Sequence, residues 1–228
     1  MPDSMSMSTD ERHPAISVDL VVLTILDDAL HVLLVKRRNE PFAGCWSLPG
    51  GRAHIEESLE DAARRVLNEK TGISRIFLEQ LYTFGEPNRD PRQRIITIAY
   101  YALIPFDTTT VLHAGHAEQD IAWAPVATLG CLAFDHEMII EATLQRLRNK
   151  LDYTPVGLEL LPEKFTLSEL QRVYEIILGK TIDKRNFRKK IRGKDWIERT
   201  EGFRRDGPHR PAQLYRFVPR STPNGSYL

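Results

Sequence analysis

Residues 48–73 of the 228-residue chain read LPGGRAHIEESLEDAARRVLNEKTGI, and no other stretch limits the fold as tightly. Its Pro-Gly-Gly turn, in which Gly50 and Gly51 permit the tight bend, leads through a short loop into a segment predicted to be helical from about Leu59 to Lys70. Gly72 is a good C-terminal stop. Glu57 and Arg65 are spaced as a pair that ties the loop to the helix. Val66, Glu69 and Lys70 stand at i, i+3 and i+4, hence on one helix face.

Gly51, Glu57, Arg65, Leu67, Glu69, Gly72 and Ile73 keep the spacing G-x5-E-x7-R-E-U-x-E-E-x-G-U, with U apolar, and here the stretch resembles the Nudix box. In Nudix hydrolases the three glutamates of R-E-U-x-E-E collect magnesium beside a bound diphosphate. In this chain two of those oxygen ligands are replaced, by Val66 and by the cationic Lys70. At about 4 Å and an effective dielectric of roughly 20, a lysine repels a divalent ion by up to about 8 kcal/mol. Even a quarter of that weakens metal binding more than about tenfold. The carboxylate that Val66 displaces serves many relatives as metal ligand or general base, a role worth about 10²- to 10⁴-fold in rate. The expectation is a Nudix fold that keeps its pocket and has lost hydrolysis, with no catalytic residue, no metal ligand and no required cofactor. The alternative is an active ADP-ribose pyrophosphatase with a nucleic-acid-binding tail, another carboxylate having taken over.

Net charge is zero, but residues 1–150 carry 15 Lys+Arg against 21 Asp+Glu, and the remainder 16 against 10. The pocket half is therefore expected to be acidic and the C-terminal part basic, which points to a polyanion partner. Cys45 and Cys131 make no disulfide framework and no apolar run is long enough for a membrane span, so a cytoplasmic protein without membrane association is expected. Residues 1–14 read as a loose leader lacking the apolar core of a signal peptide.

Along the chain, SVDLVVLTIL (Ser17 to Leu26) and HVLLVK (His31 to Lys36) are expected to be strands joined by a hairpin at Asp27-Asp28, with His31 solvated at a strand end. Arg37, Arg38 and Trp46 border the pocket in this reading, where cations can meet phosphate and an aromatic can face a base. FLEQLYTF and IITIAYYALI are the next strands, and between them Arg89-Asp90-Pro91-Arg92 places two guanidiniums around a carboxylate on a stiffened turn. Such a group suits a diphosphate and a ribose hydroxyl. His113 and His116 fall in a loop, Ile121 to Val126 reads as a strand, and Phe134 to Leu151 as an amphipathic helix closing the first domain. Residues 152–164, with two prolines and a glycine, are a packed linker.

Thr166-Leu-Ser-Glu169 is a capping box ahead of a helix that ends at Gly179. A second helix, Lys184 to Arg192, has anchors Phe187 and Ile191 one turn apart, ringed by Lys184, Arg185, Asn186, Arg188, Lys189 and Lys190. That is the arrangement of a recognition helix in a major groove. Strands at Asp195 to Thr200 and Gln213 to Phe217, joined by the basic arm Gly202 to Ala212 with His209, Arg210 and Pro211 at its tip, complete a winged helix-turn-helix. Residues 165–220 form this domain, residues 15–151 the Nudix-like one, and residues 221–228 a tail.

From Ser17 to Phe217, CWSLPGG, FGEPNRDPRQR, AFDHEMI, LLPEKFTLSELQRVYE, NFRKKI and HRPAQLYRF resemble the Nudix-related transcriptional regulators of NAD metabolism, the NrtR family. The resemblance implies an α/β Nudix fold, a mixed sheet between helices, followed by a small winged helix-turn-helix. It implies a homodimer that represses NAD biosynthesis or salvage genes from a palindromic double-stranded DNA operator and senses ADP-ribose or a related nucleotide. Arg37, Trp46, Gly50, Gly51, Arg65, Glu69, Arg89, Asp90 and Arg92 are the expected effector contacts. Thr166, Lys184, Arg185, Asn186, Arg188, Lys189, Arg192, His209, Arg210 and Pro211 are the expected DNA contacts.

Overall fold

The computed structural model describes residues 13–72, 77–105, 118–205 and 211–218. The leader up to residue 12, His113, His116, His209, Arg210 and the tail lie outside them. In order come β1 (Ala15–Leu26), β2 (Ala29–Arg37), β3 (Trp46–Ser47), β4 (Gly50–Arg52), α1 (Leu59–Thr71), β5 (Phe77–Phe84), β6 (Ile95–Leu103), β7 (Glu118–Pro125), α2 (His136–Lys150), β8 (Lys164–Thr166), α3 (Leu167–Leu178), α4 (Lys184–Arg192), β9 (Ile197–Arg204) and β10 (Ala212–Phe217).

The first sheet runs β3-β2-β1-β6-β5, with β4 added to β1 and β7 to β2. It is mixed, since β1 lies parallel to β6 and antiparallel to β2. Asp27 and Asp28 both have positive φ, 45° and 59°, as the tight β1–β2 hairpin requires. The near-continuous apolar run of β1 is explained by burial on both faces. Val18, Leu20 and Val22 meet Ala62, Ala63, Val66 and Leu67 of α1, while Val21 and Leu23 belong to the core that contains Ile139, Ile140 and Leu147 of α2. The expected α/β class, a mixed sheet between helices, is what the chain forms. His31 corrects one expectation: it is 9% exposed, not solvated, with Nδ1 3.1 Å from the Ala29 carbonyl.

The second domain shares the α2-side core, because Val156, Leu158, Leu160 and Leu161 join it to Phe165, Leu170, Val173 and Ile177 of the winged helix. Val156, Leu158, Leu160 and Leu161 are thus packed, and Val156–Leu160 forms a 3-10 turn. Sequence reading misses β8, which pairs with β10 to make a three-stranded sheet in the order β8-β10-β9. The wing strand β9 also runs on to Arg204, so the first residues of the expected arm are sheet. Among the described residues no helix is long and apolar enough to cross a membrane.

Candidate functional site

A cavity of about 260 Å³ opens where β1, the end of β2 and the β3–β4 turn meet the loops before β6 and α2. The turn reaches it because two side chains are missing. A Cβ on Gly50 would stand 2.1 Å from Asp19 Oδ1, and one on Gly51 2.8 Å from Val66 Cγ2. Gly50 therefore lets β4 pass over Asp19, and Gly51 lets α1 close against the turn.

Arg89 is the centre of the cavity floor. Its side chain is 4% exposed, and it donates to Asp135 from Nε (2.8 Å) and Nη2 (2.6 Å) and to Asp19 at 3.2 Å. Burial works against its charge, yet the bonds to Asp135 and Asp19 outweigh burial and hold the guanidinium above its ordinary range. Asp90 accepts hydrogen bonds from Arg92, through Nε at 3.0 Å, Nη2 at 2.6 Å and the backbone amide at 3.0 Å, while Arg89, which turns its hydrogen bonds to Asp135 and Asp19, acts on it by charge only. Burial opposes its ionisation and the Arg92 bonds override that, so its pKa is lowered.

Phe134, at a positive φ of 59°, presents its ring to two arginines, with Arg37 Cζ 4.7 Å and Arg92 Cζ 5.8 Å from the centroid. Arg37 is further held by the Pro41 carbonyl at 2.8 Å. His136 accepts the Leu48 N–H at Nδ1 (2.9 Å), and burial pushes its pKa down, outweighing nearby Asp19 and Asp135. The unfolded histidine takes its proton near pH 6.5, above the folded one, so stability is full above that value and falls as pH drops through it. His136→Asn keeps an acceptor near the Leu48 amide and removes the titration. The melting temperature of the parent chain is expected to fall more than that of His136→Asn between pH 7.5 and 5.5, and equal falls would contradict the assignment.

Three expected contacts stand off the cavity wall. Trp46 packs on the core. Arg65 forks onto Glu57 at 2.6 and 2.9 Å, the loop-to-helix tie that its spacing predicts, and Glu69 pairs with Arg65 at 3.1 Å. The Arg65 hydrogen bond is the main reason the Glu57 pKa drops to about 2. Sequence reading in turn misses Asp19, Phe134 and His136 on the wall, while Lys70 stands there as its place on the α1 face predicts. A carboxylate inside an apolar strand, as in SVDLVV, is the signal that marks Asp19. The pocket is not acidic either: Arg37, Arg38, Arg52, Lys70, Arg89 and Arg92 line it against Asp19, Glu40 and Asp90.

The donors do not fit a divalent ion, the group that the fold implies. Val66 is 1% exposed inside the apolar α1 cluster, Glu69 is engaged with Arg65 off the wall, and Asp19 and Asp90 are taken by guanidiniums. Among the described residues no three His, Cys, Asp or Glu side chains are grouped to hold a metal.

The second candidate surface lies on the winged helix. Thr166 accepts the Glu169 amide at 3.2 Å and its own amide meets Glu169 Oε2 at 2.7 Å, closing the expected capping box. Glu169 Oε1 also holds Arg204 at 2.5 Å, locking the wing to α3. Asp183 caps α4 by accepting the Asn186 amide at 2.8 Å. Phe187 (3% exposed) and Ile191 (1%) are buried, leaving Lys184, Arg185, Asn186, Lys189 and Arg192 exposed. Lys184, Arg188, Arg192, Arg199 and Pro211 line one groove between α4 and the β9–β10 hairpin. Among the described residues no acceptor meets the buried Arg188 Nε. Lys190 points the other way, to Asp152 at 3.3 Å, and Thr166, only 5% exposed, is a cap more than an open contact.

Comparison with known proteins matches residues 16–147 to the NUDIX domain and residues 157–217 to the NrtR DNA-binding winged helix domain. The chain is 39% identical over 92% of its length, and 84% of the relative's, to a protein of Acinetobacter baylyi described as an ADPR responsive transcriptional repressor, NtrR. It superposes on Shewanella oneidensis NrtR complexed with a 27mer DNA with a TM-score of 0.78 at 39% identity, covering 89% of this chain and 93% of that one. The NUDIX domain of the same Shewanella protein, complexed with ADP ribose, matches with a TM-score of 0.56 at 38% identity over 60% of this chain and 90% of that one. With a NUDIX domain and an NrtR winged helix in one polypeptide, the chain belongs to the NrtR family.

Proposed function

We propose that the chain is a sequence-specific DNA-binding repressor of NAD biosynthesis or salvage genes, acting in the cytoplasm as a homodimer on a palindromic operator. Its Nudix domain senses ADP-ribose or a related nucleotide and does not hydrolyse it. The DNA complex and the ADP-ribose complex of the Shewanella relative support the two ligands, and the name of the Acinetobacter relative supports their linkage.

The observation that carries this reading is the position of α2. It begins at the cavity, where Asp135 and His136 stand, and in its last turns Arg148 Nε donates to the Ile177 carbonyl of α3 at 3.1 Å. Lys150, held by Glu79 at 2.5 and 2.7 Å, fixes the same end to β5. A ligand that shifts the N-terminal end of such a rod moves the helix on which α4 rests. An effector that favours one dimer geometry then changes the spacing of two recognition helices.

Selection of bound DNA from a random pool, with and without ADP-ribose, tests the reading. One palindromic motif is expected without the nucleotide and none with it; recovery of unrelated sequences would contradict it. Incubation with ADP-ribose and magnesium or manganese is expected to leave the nucleotide intact, and AMP and ribose 5-phosphate at more than about 1 per second would restore the enzyme reading. Arg188→Ala is expected to weaken binding to the selected motif by about 1–3 kcal/mol, roughly 5- to 150-fold, and unrelated DNA far less. Lys190→Ala removes only an exposed ion pair to Asp152, and should stay within the roughly fivefold that about 1 kcal/mol allows. Equal losses for the two variants on all sequences, read by fluorescence anisotropy, would mark charge alone as the source of binding.

A further inference from the structure

Two of the three carboxylates on the cavity wall are already held by guanidiniums, and much of the wall suits an anion. Asp19 and Asp90 are each bound by a guanidinium, and Glu40, the remaining acidic side chain, is exposed. Against them stand six cationic residues: Arg89 on the floor, Arg37 and Arg92 at Phe134, Arg38 beside them, Arg52 on β4 and Lys70 in the last turn of α1. The same helix face buries Val66 among apolar groups and turns Glu69 to Arg65, so α1 offers the cavity a cation and no carboxylate.

We infer that this cavity takes the diphosphate of its nucleotide directly, without a bridging divalent metal, and that Lys70 is the α1 residue whose charge faces it. The inference rests on the reading of the cavity as an ADP-ribose site. With Arg89 and Arg92 set against Asp135, Asp19 and Asp90, Lys70, Arg37, Arg38 and Arg52 still outnumber Glu40 on the wall, and the Lys70 ammonium on its flexible stem serves as a point charge, so together they can neutralise phosphate charge that a protein without them would share with an ion. The effector signal would then be indifferent to magnesium.

Calorimetric titration of the full chain with ADP-ribose, in excess EDTA and again in millimolar magnesium, decides it without any variant. The dissociation constants are expected to agree within about threefold, less than 1 kcal/mol. Lys70→Met is expected to weaken binding at least about tenfold in both buffers, Lys70→Arg to keep most of it, and Lys70→Glu to lose it in EDTA and regain part with magnesium. Melting curves and binding to the selected DNA without nucleotide check that each variant is folded. Binding more than about tenfold tighter with magnesium, or a Lys70→Met chain that binds like its parent, would overturn the inference while leaving the effector reading intact. No binding of ADP-ribose in either buffer would remove both.

Discussion

Replacing Arg89 with methionine is expected to destabilise the protein by about 3–5 kcal/mol, the cost of removing one partner from a buried ion pair. For a chain of this size that is a fall in melting temperature on the order of 10 °C. Methionine fills much of the space but leaves Asp19 and Asp135, 9% and 14% exposed, facing each other with no shared cation. Adding Asp19→Asn should recover part of the loss, because it removes one of the two facing carboxylates. Nucleotide binding should be lost as well, because the bond that draws the loop before β6 onto the start of α2 is gone. A variant that melts with its parent at neutral pH would show that Arg89 does not organise the floor.

Phe187→Ala is expected to cost about 3–5 kcal/mol in its own domain and to weaken DNA binding more than about a hundredfold. The reason is the shortness of α4. A helix of nine residues is not stable in isolation, and two buried side chains attach this one to the domain. Phe187 meets the Tyr174 ring edge to face at a centroid distance of 5.2 Å, and Ile191 follows one turn on. With Phe187 gone, Lys184, Arg188 and Arg192 lose the common frame that lines them along the groove. ADP-ribose affinity should stay near that of the parent, since the cavity lies at the far end of α2. Loss of both activities would mean that the two domains unfold as one unit, as the shared core permits.

Local signals made most of the fold legible. Gly72, left-handed, ends α1 where its place in the sequence predicts, and Thr166 and Gly179 punctuate α3 in the same way. What escaped depends on distance along the chain. Arg89 finds its partners 46 and 70 residues away, and nothing in Arg-Asp-Pro-Arg says that its first arginine turns inward while its second takes the aspartate. Phe134 lies under Arg37 and Arg92 through a left-handed residue that no pattern marks. The sign of the pocket charge is hidden from the sequence for a related reason: the acidic excess of residues 1–150 is spread over the domain, while the cations gather at the cavity. β8 is three residues long, too short for any periodicity, and exists through its pairing with β10.

The most direct test of a nucleotide-controlled DNA grip is an anisotropy titration of the preformed complex between the chain and its selected DNA. Added ADP-ribose should release the DNA in a saturable manner, AMP and ribose 5-phosphate should not, and Arg89→Met should be deaf to all three. A complex that stays intact at saturating ADP-ribose, or one that AMP dissolves equally well, would contradict a cavity at one end of α2 governing a recognition helix at the other.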